Sequence, residues 1–120
     1  LTRDLKKIKK NNERICAFVI RYADKARRKT GKSLLRCAEK AFDRFNGYAD
    51  LGGHEFMPDN YPEALGSLKE IFLRLKQIQP EQPDHENVSV KIRIISILLR
   101  AEGLFMIVKK YEALTLQSEF

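Results

Sequence analysis

Val88–Leu116, VSVKIRIISILLRAEGLFMIVKKYEALTL, is the most apolar stretch of the chain, and its reading decides the fold. On a wheel of about 100° per residue it carries two apolar faces. The broad one holds Ile94, Ile97, Leu98, Ala101, Leu104, Phe105 and Val108 at the spacings of a core-facing helix. A narrower stripe holds Ile92, Ile95, Leu99 and Met106. Lys91, Glu102 and Lys109 lie between the stripes, and Arg93, Ser96, Arg100 and Lys110 mark the expected wet side. A helix apolar on two sides is normally surrounded by neighbours or shared between subunits. Burying a side chain such as Leu99 is worth roughly 1.5–3 kcal/mol, so a second stripe left in water is costly.

Two rival readings of this stretch fail. A membrane span needs about 20 consecutive apolar residues, and the longest uncharged runs here are Ile94–Leu99 and Gly103–Val108. Val88, Val90, Ile92 and Ile94 alternate with polar residues as a strand would. Beyond them, however, the apolar spacing is helical, and no second clear strand is available for pairing.

Working outward, three further segments read as helices. The first covers about residues 2–29, with Leu5, Ile8, Ile15, Val19, Tyr22, Ala23 and Ala26 on one face and Asn12 as a polar interruption. Thr30-Gly31, after a basic last turn, stops it. The second covers about 33–50, with Ser33 as its expected cap and Leu34, Leu35, Ala38, Ala41, Phe42, Phe45 and Tyr48 facing inward. The third covers about 61–79, opened by a capping box of Asn60 and Glu63 and burying Leu65, Leu68, Ile71, Phe72, Leu75 and Ile78. Pro80–His85, PEQPDH, reads as a polar linker to the fourth helix at about 87–116. Four helices joined by short or medium loops predict an all-α, four-helix up-down bundle. A dimer with one helix extended toward a second subunit is the alternative.

The 120 residues fit one domain with a core of its own. A chain that opens on Leu1 reads as a domain excised from a longer protein or as a processed chain. Without a secretory signal pattern, the expected location is intracellular, cytoplasm or nucleus. Cys16 and Cys37 are too few for a disulfide scaffold and match no zinc spacing, so two free thiols are expected. Asn87-Val88-Ser89 matches a glycosylation acceptor only by chance.

No catalytic, cofactor or metal signature survives inspection. Thr30-Gly31-Lys32-Ser33 resembles the tail of a phosphate loop, but the earlier glycine is Ala26 and a basic helix precedes it where a strand is required. His54 and His85 lie in expected loops, with no second strong ligand at helical or hairpin spacing. There is no Gly-x-Ser-x-Gly elbow and no marked pair among the 16 carboxylates. A non-catalytic domain is therefore expected, with an unrecognised enzyme as the third reading.

Charge is more informative. The chain carries 23 Lys and Arg against 16 Asp and Glu, a net +7. The first thirty residues hold 11 of these bases and 3 acids, so the whole excess belongs to the first helix. Arg3, Lys6, Lys7, Lys10, Arg14, Arg21, Lys25 and Arg28 gather on its outer face. Like charges a turn apart cost a few tenths of a kcal/mol each, which an acidic protein, RNA or DNA, or an anionic membrane would offset. The membrane is the weakest of these, because the helix's apolar side is needed for the core and lacks Trp anchors. The leading expectation is a protein-interaction or homo-oligomerisation domain, using the stripe Ile92, Ile95, Leu99 and Met106 and docking an acidic partner on the basic helix. A nucleic-acid module working through phosphate contacts is the alternative.

Overall fold

The computed structural model describes residues 2–49, 51, 54–77 and 85–119, with side chains at all of these except 2–3, 54, 85–88, 111 and 115–119. Four α-helices and one 3-10 turn make up the fold: α1 (Thr2–Ala26), α2 (Gly31–Phe45), the turn His54–Phe56, α3 (Tyr61–Lys76) and α4 (His85–Glu119). The architecture is an all-α bundle, as the periodicities predict. The segment with strand-like alternation lies within α4, where its apolar residues serve helical faces. The proposed linker at 80–85 and Ile78 lie outside the described residues, apart from the backbone of His85, which opens α4.

Chain direction follows from the bonds between helices. Cys37 of α2 donates its thiol to the Tyr22 carbonyl of α1, and Arg44 lies over Phe18, so α2 runs antiparallel to α1. Asn60, just before α3, donates to the Glu13 carbonyl at 3.1 Å, while Arg74 near the end of α3 reaches Ala26 and Lys29. Thus α3 runs alongside α1 in the same direction. Arg93 meets Glu39 and Asp43, and Arg100 meets Asn46, which sets α4 parallel to α2. Direction alternates along the chain, with α4 packed on α2 and α3 and α1 on α2, α3 and the 3-10 turn. The hub of the packing is therefore α1 and not the more apolar α4. At about 1.5 Å per residue, 35 residues span about 52 Å, so α4 accounts for most of the molecule's 57 Å long axis.

The core follows the predicted faces closely. Ile15, Val19, Ala23 and Ala26 of α1 pack with Leu34, Ala38, Ala41, Phe42 and Phe45 of α2. Leu65, Leu68, Ile71 and Leu75 of α3 and Ile94, Ile97, Leu98, Ala101, Leu104 and Val108 of α4 complete it. Leu5 is exposed and Ile8 half-buried, so the first two turns of α1 fall short of the burial expected for that face. Tyr61, which the periodicity does not place in the core, is fully buried there and donates its hydroxyl to the Ala101 carbonyl at 2.6 Å. Its ring lies among Phe45, Tyr48 and Phe105, tying three helices together.

Helix ends differ from expectation in instructive ways. Thr30, not Ser33, is the residue before α2; Ser33 falls in the first turn, since Gly31 takes φ +54° and begins the helix early. That left-handed φ is the reason a glycine stands there. The capping box at α3 does not form: Asn60 makes no cap hydrogen bond, its amide being engaged by α1. The Ala26 carbonyl that ends α1 and the Lys29 carbonyl just beyond it both accept from the Arg74 guanidinium, a tertiary cap.

Candidate interaction surfaces

Two faces stand out, one on α1 and one on α4. Lys6, Lys7, Lys10, Arg14, Arg21, Lys25 and Arg28 are all exposed, and none forms an ion pair among the described residues. The side chain of Arg3 lies outside the described set. The acids of α1 do not neutralise this face. Asp24 is held at 3.1 Å by Arg27, which also grips Glu70 of α3 at 2.9 Å. The Arg27 hydrogen bond, with its charge, holds the Glu70 carboxyl below the usual carboxylate range and raises the guanidinium in return. Arg27 and Glu70 belong to the α1–α3 flank, and Asp24 stands at the edge of the basic row nearest to that flank.

A second basic row adjoins the first. On α2, Arg36, Lys40 and Arg44 are exposed and also lack an ion pair among the described residues. Glu39 and Asp43, the acids of the same helix, point to the other flank and hold Arg93 of α4 at 3.0 and 3.2 Å. Between the two rows lie Phe18 and Tyr22, stacked with ring centroids 4.4 Å apart. The Arg44 guanidinium sits 5.5 Å from the Phe18 centroid and the Lys25 ammonium 4.9 Å from that of Tyr22. No interval along the chain foretells this cluster, because Arg44 is remote from Phe18 in sequence.

On α4, the four residues of the narrow stripe are exposed: Ile92 by 62%, Ile95 by 39%, Leu99 by 63% and Met106 by 70%. Ile107 and Leu114, at 63% and 55%, extend the exposed surface beyond Met106 toward the end of the helix, seven residues apart. Arg93, Ser96, Arg100 and Lys110 are exposed, as expected, but Arg93 and Arg100 are not at the centre of the wet side. They line the α2 flank, where Arg100 donates to the Asn46 side-chain carbonyl at 3.1 Å. Glu102 lies on the α3 flank, paired with Lys69 at 3.2 Å. The outward centre of α4 is thus the apolar stripe itself, interrupted by Ser96, Gly103 and Lys110. A Cβ added at Gly103 would meet nothing within 4 Å, so no contact among the described residues requires a glycine there.

Other candidates resolve into structure. Asn12 is fully buried; its amide donates to the carbonyls of Ala49 and Phe56 at 3.2 and 2.8 Å, and its oxygen accepts from the Ala49 N–H at 3.0 Å. The apparent interruption of α1 is a pin for the α2–α3 connection. Cys16 and Cys37 are free and buried. Burial, with Glu13 adding its charge, pushes the Cys16 thiol up to about 12, leaving it protonated at neutral pH. His54 and His85 have no described side chain, and among the described residues no three His, Cys, Asp or Glu are grouped to hold a metal ion. Open grooves run along the α2–α4 seam beside Ile92 and Arg100 and along the α1–α3 seam beside Arg27 and Glu70. Among the described residues no helix is long and apolar enough to cross a membrane.

Comparison with protein-family models, curated proteins and solved structures finds no match to this chain, so any functional reading rests on the two faces just described.

Proposed function

We propose that the chain is a binding rather than catalytic domain, which pairs with a second copy of itself through the outward face of α4. The observation that carries this is the stripe of Ile92, Leu99, Met106 and Ile107, each more than 60% exposed on a helix whose opposite face lies in the core. Contiguous exposed apolar surface beyond a few hundred Å² marks an interaction site. Six large side chains over this length approach the roughly 800 Å² per partner that a standard interface buries.

The spacing supports a like partner. In an antiparallel pair centred on Leu99, that residue meets its own counterpart, Ile92 faces Met106, and Ile95 faces Gly103. Ile92, Ile95, Leu99 and Met106 then oppose a side chain of the stripe or an open backbone, Ile107 lies against the stem of Lys91 at the rim, and no charge falls opposite a like charge at the centre. An isologous contact of this kind closes on itself and needs no other chain. It also accounts for Gly103. A glycine inside a helix costs about 0.5–1 kcal/mol relative to Ala, a cost that no contact among the described residues offsets.

Analytical ultracentrifugation tests the pairing. The expected result is a dimer that Leu99→Asp with Met106→Asp converts to a monomer of unchanged helix content. Gly103→Ala separates the two roles of that site: it should raise monomer stability by about 0.5–1 kcal/mol and weaken association. A wild-type chain that stays monomeric at high concentration removes the proposal.

A further inference from the structure

We propose that the α1 and α2 rows form one surface that binds the phosphate backbone of a nucleic-acid duplex without reading its bases. From Lys7 through Lys10, Arg14, Arg21 and Lys25 to Arg28, the cations recur every three, four or seven residues. At 1.5 Å per residue they extend over about 32 Å, close to the roughly 34 Å of one duplex turn. Arg36, Lys40 and Arg44 add a second line, about 8–10 Å away at ordinary helix spacing. Three of the acids of these helices are engaged, Asp24 by Arg27 and Glu39 and Asp43 by Arg93, while Asp4 and Glu13 stay exposed among a larger number of cations. What remains outward is predominantly cationic on two adjacent helices, and among the described residues no carboxylate pairs with a cation of either row, although Lys25 and Arg44 lie over aromatic rings.

The make-up of the surface selects among polyanions. A protein–protein interface has an apolar centre from which charge, lysine above all, is depleted. Between Lys7 and Arg28 the outward line is interrupted by Ala17, which is exposed, and bordered by Asp24, so it offers no apolar centre. An anionic bilayer requires apolar side chains to insert beside the cations, yet Ile15, Val19, Ala23 and Ala26 are spent in the core. Phosphate contacts demand only positioned Lys and Arg, and the planar guanidinium suits them best.

The aromatic pair decides between duplex and single strand. A single strand is held largely by bases stacking on open aromatic faces. Here Phe18 and Tyr22 face each other, with Arg44 over one and Lys25 over the other. The rings hold cations in place across the helix seam and present no free platform. Binding through phosphates alone is therefore shape- and charge-dependent, as for a duplex read without its base edges.

Fluorescence anisotropy with labelled 20-base-pair DNA and RNA duplexes of two unrelated sequences tests this. Expected is binding that differs little between the sequences and weakens by about 10³–10⁵ between 50 and 200 mM salt, given six to ten phosphate contacts. Replacing Arg36, Lys40 and Arg44 by Gln should weaken binding and flatten the salt slope on DNA by about 0.9 for each phosphate left without its cation. The same holds for Lys10, Arg14 and Arg21, whereas Lys69→Gln with Lys76→Gln on α3 should change neither. Circular dichroism checks that each variant is folded. The Leu99→Asp, Met106→Asp chain should still bind, which separates this proposal from the pairing through α4. No binding at 20 mM salt, an unaffected α2 variant, or tighter capture of single strands, polyglutamate or anionic vesicles than of duplex would overturn it.

Discussion

The outer faces of α1 and α4 are both unpartnered within the described chain, but they carry opposite kinds of surface. On α1 the solvent side is a row of hydrated cations, and leaving it in water costs only mutual repulsion. On α4 the solvent side is a row of Ile, Leu and Met, and every exposed side chain there forgoes about 1.5–3 kcal/mol of burial. The charges of α4 are used otherwise: Arg93 and Glu102 clamp its flanks to α2 and α3. An exposed charged face is thus compatible with a free monomer and becomes informative only through its purity, whereas an exposed apolar face is informative by itself.

Neighbouring residues on α4 provide the sharpest way to break this contrast. Leu98 is 7% exposed and Leu99 is 63% exposed. Leu98→Ala should cost the fold about 2–5 kcal/mol in urea unfolding, whereas Leu99→Ala should leave the dilute chain nearly unchanged and act on self-association. Equal effects from the two would place Leu99 in the core and end the distinction. Next in size is the inner side of α1. Asn12→Ala strands the Ala49 N–H and two carbonyls, at a cost of about 1–3 kcal/mol. Hydrogen exchange at the Ala49 amide should quicken well before the rest of the bundle opens.

The outer side of the same helix should behave oppositely. Arg14→Gln and Arg21→Gln should each leave stability within about 0.5 kcal/mol and raise Tm slightly at low salt, an increase that added salt erases as the Debye length shortens. A clear drop in stability would mean these cations serve the fold. The smallest effect is expected at Arg27–Glu70, an exposed pair. Because the folded Glu70 carboxyl is held below its unfolded value, its contribution is present at neutral pH and fades as pH falls through the folded value. Wild type and Glu70→Gln should therefore differ slightly in Tm near neutrality and converge in acid.

Much of this was legible in the order of residues. The two faces of α4 follow from intervals of three, four and seven, and Leu98 and Leu99 fall on opposite sides as those intervals demand. The cations of α1 are equally plain. Residue order misleads where a side chain answers to something distant. Asn12 looks like an interruption until the segment around Ala49 and Phe56 returns to it. Asn60 looks like a cap, yet its side-chain nitrogen donates to the Glu13 carbonyl and its oxygen accepts no backbone N–H of α3. Tyr61 looks like a helix start until Ala101 arrives to accept its hydroxyl.

Periodicity alone determined that the chain forms four helices, which side of each is dry, and that α1 is basic while α4 has apolar residues to spare. Those properties are local, set by the 3.6-residue turn and by the transfer of side chains out of water. Only the tertiary structure decided that α1 is the hub, that α3 lies parallel beside it, that the bases of α2 join those of α1 over Phe18 and Tyr22, and that the stripe of α4 points outward with its charged neighbours turned to the flanks. Those are choices of neighbour. They depend on which dry faces fit one another, and an interval along one helix carries no record of the helix packed against it.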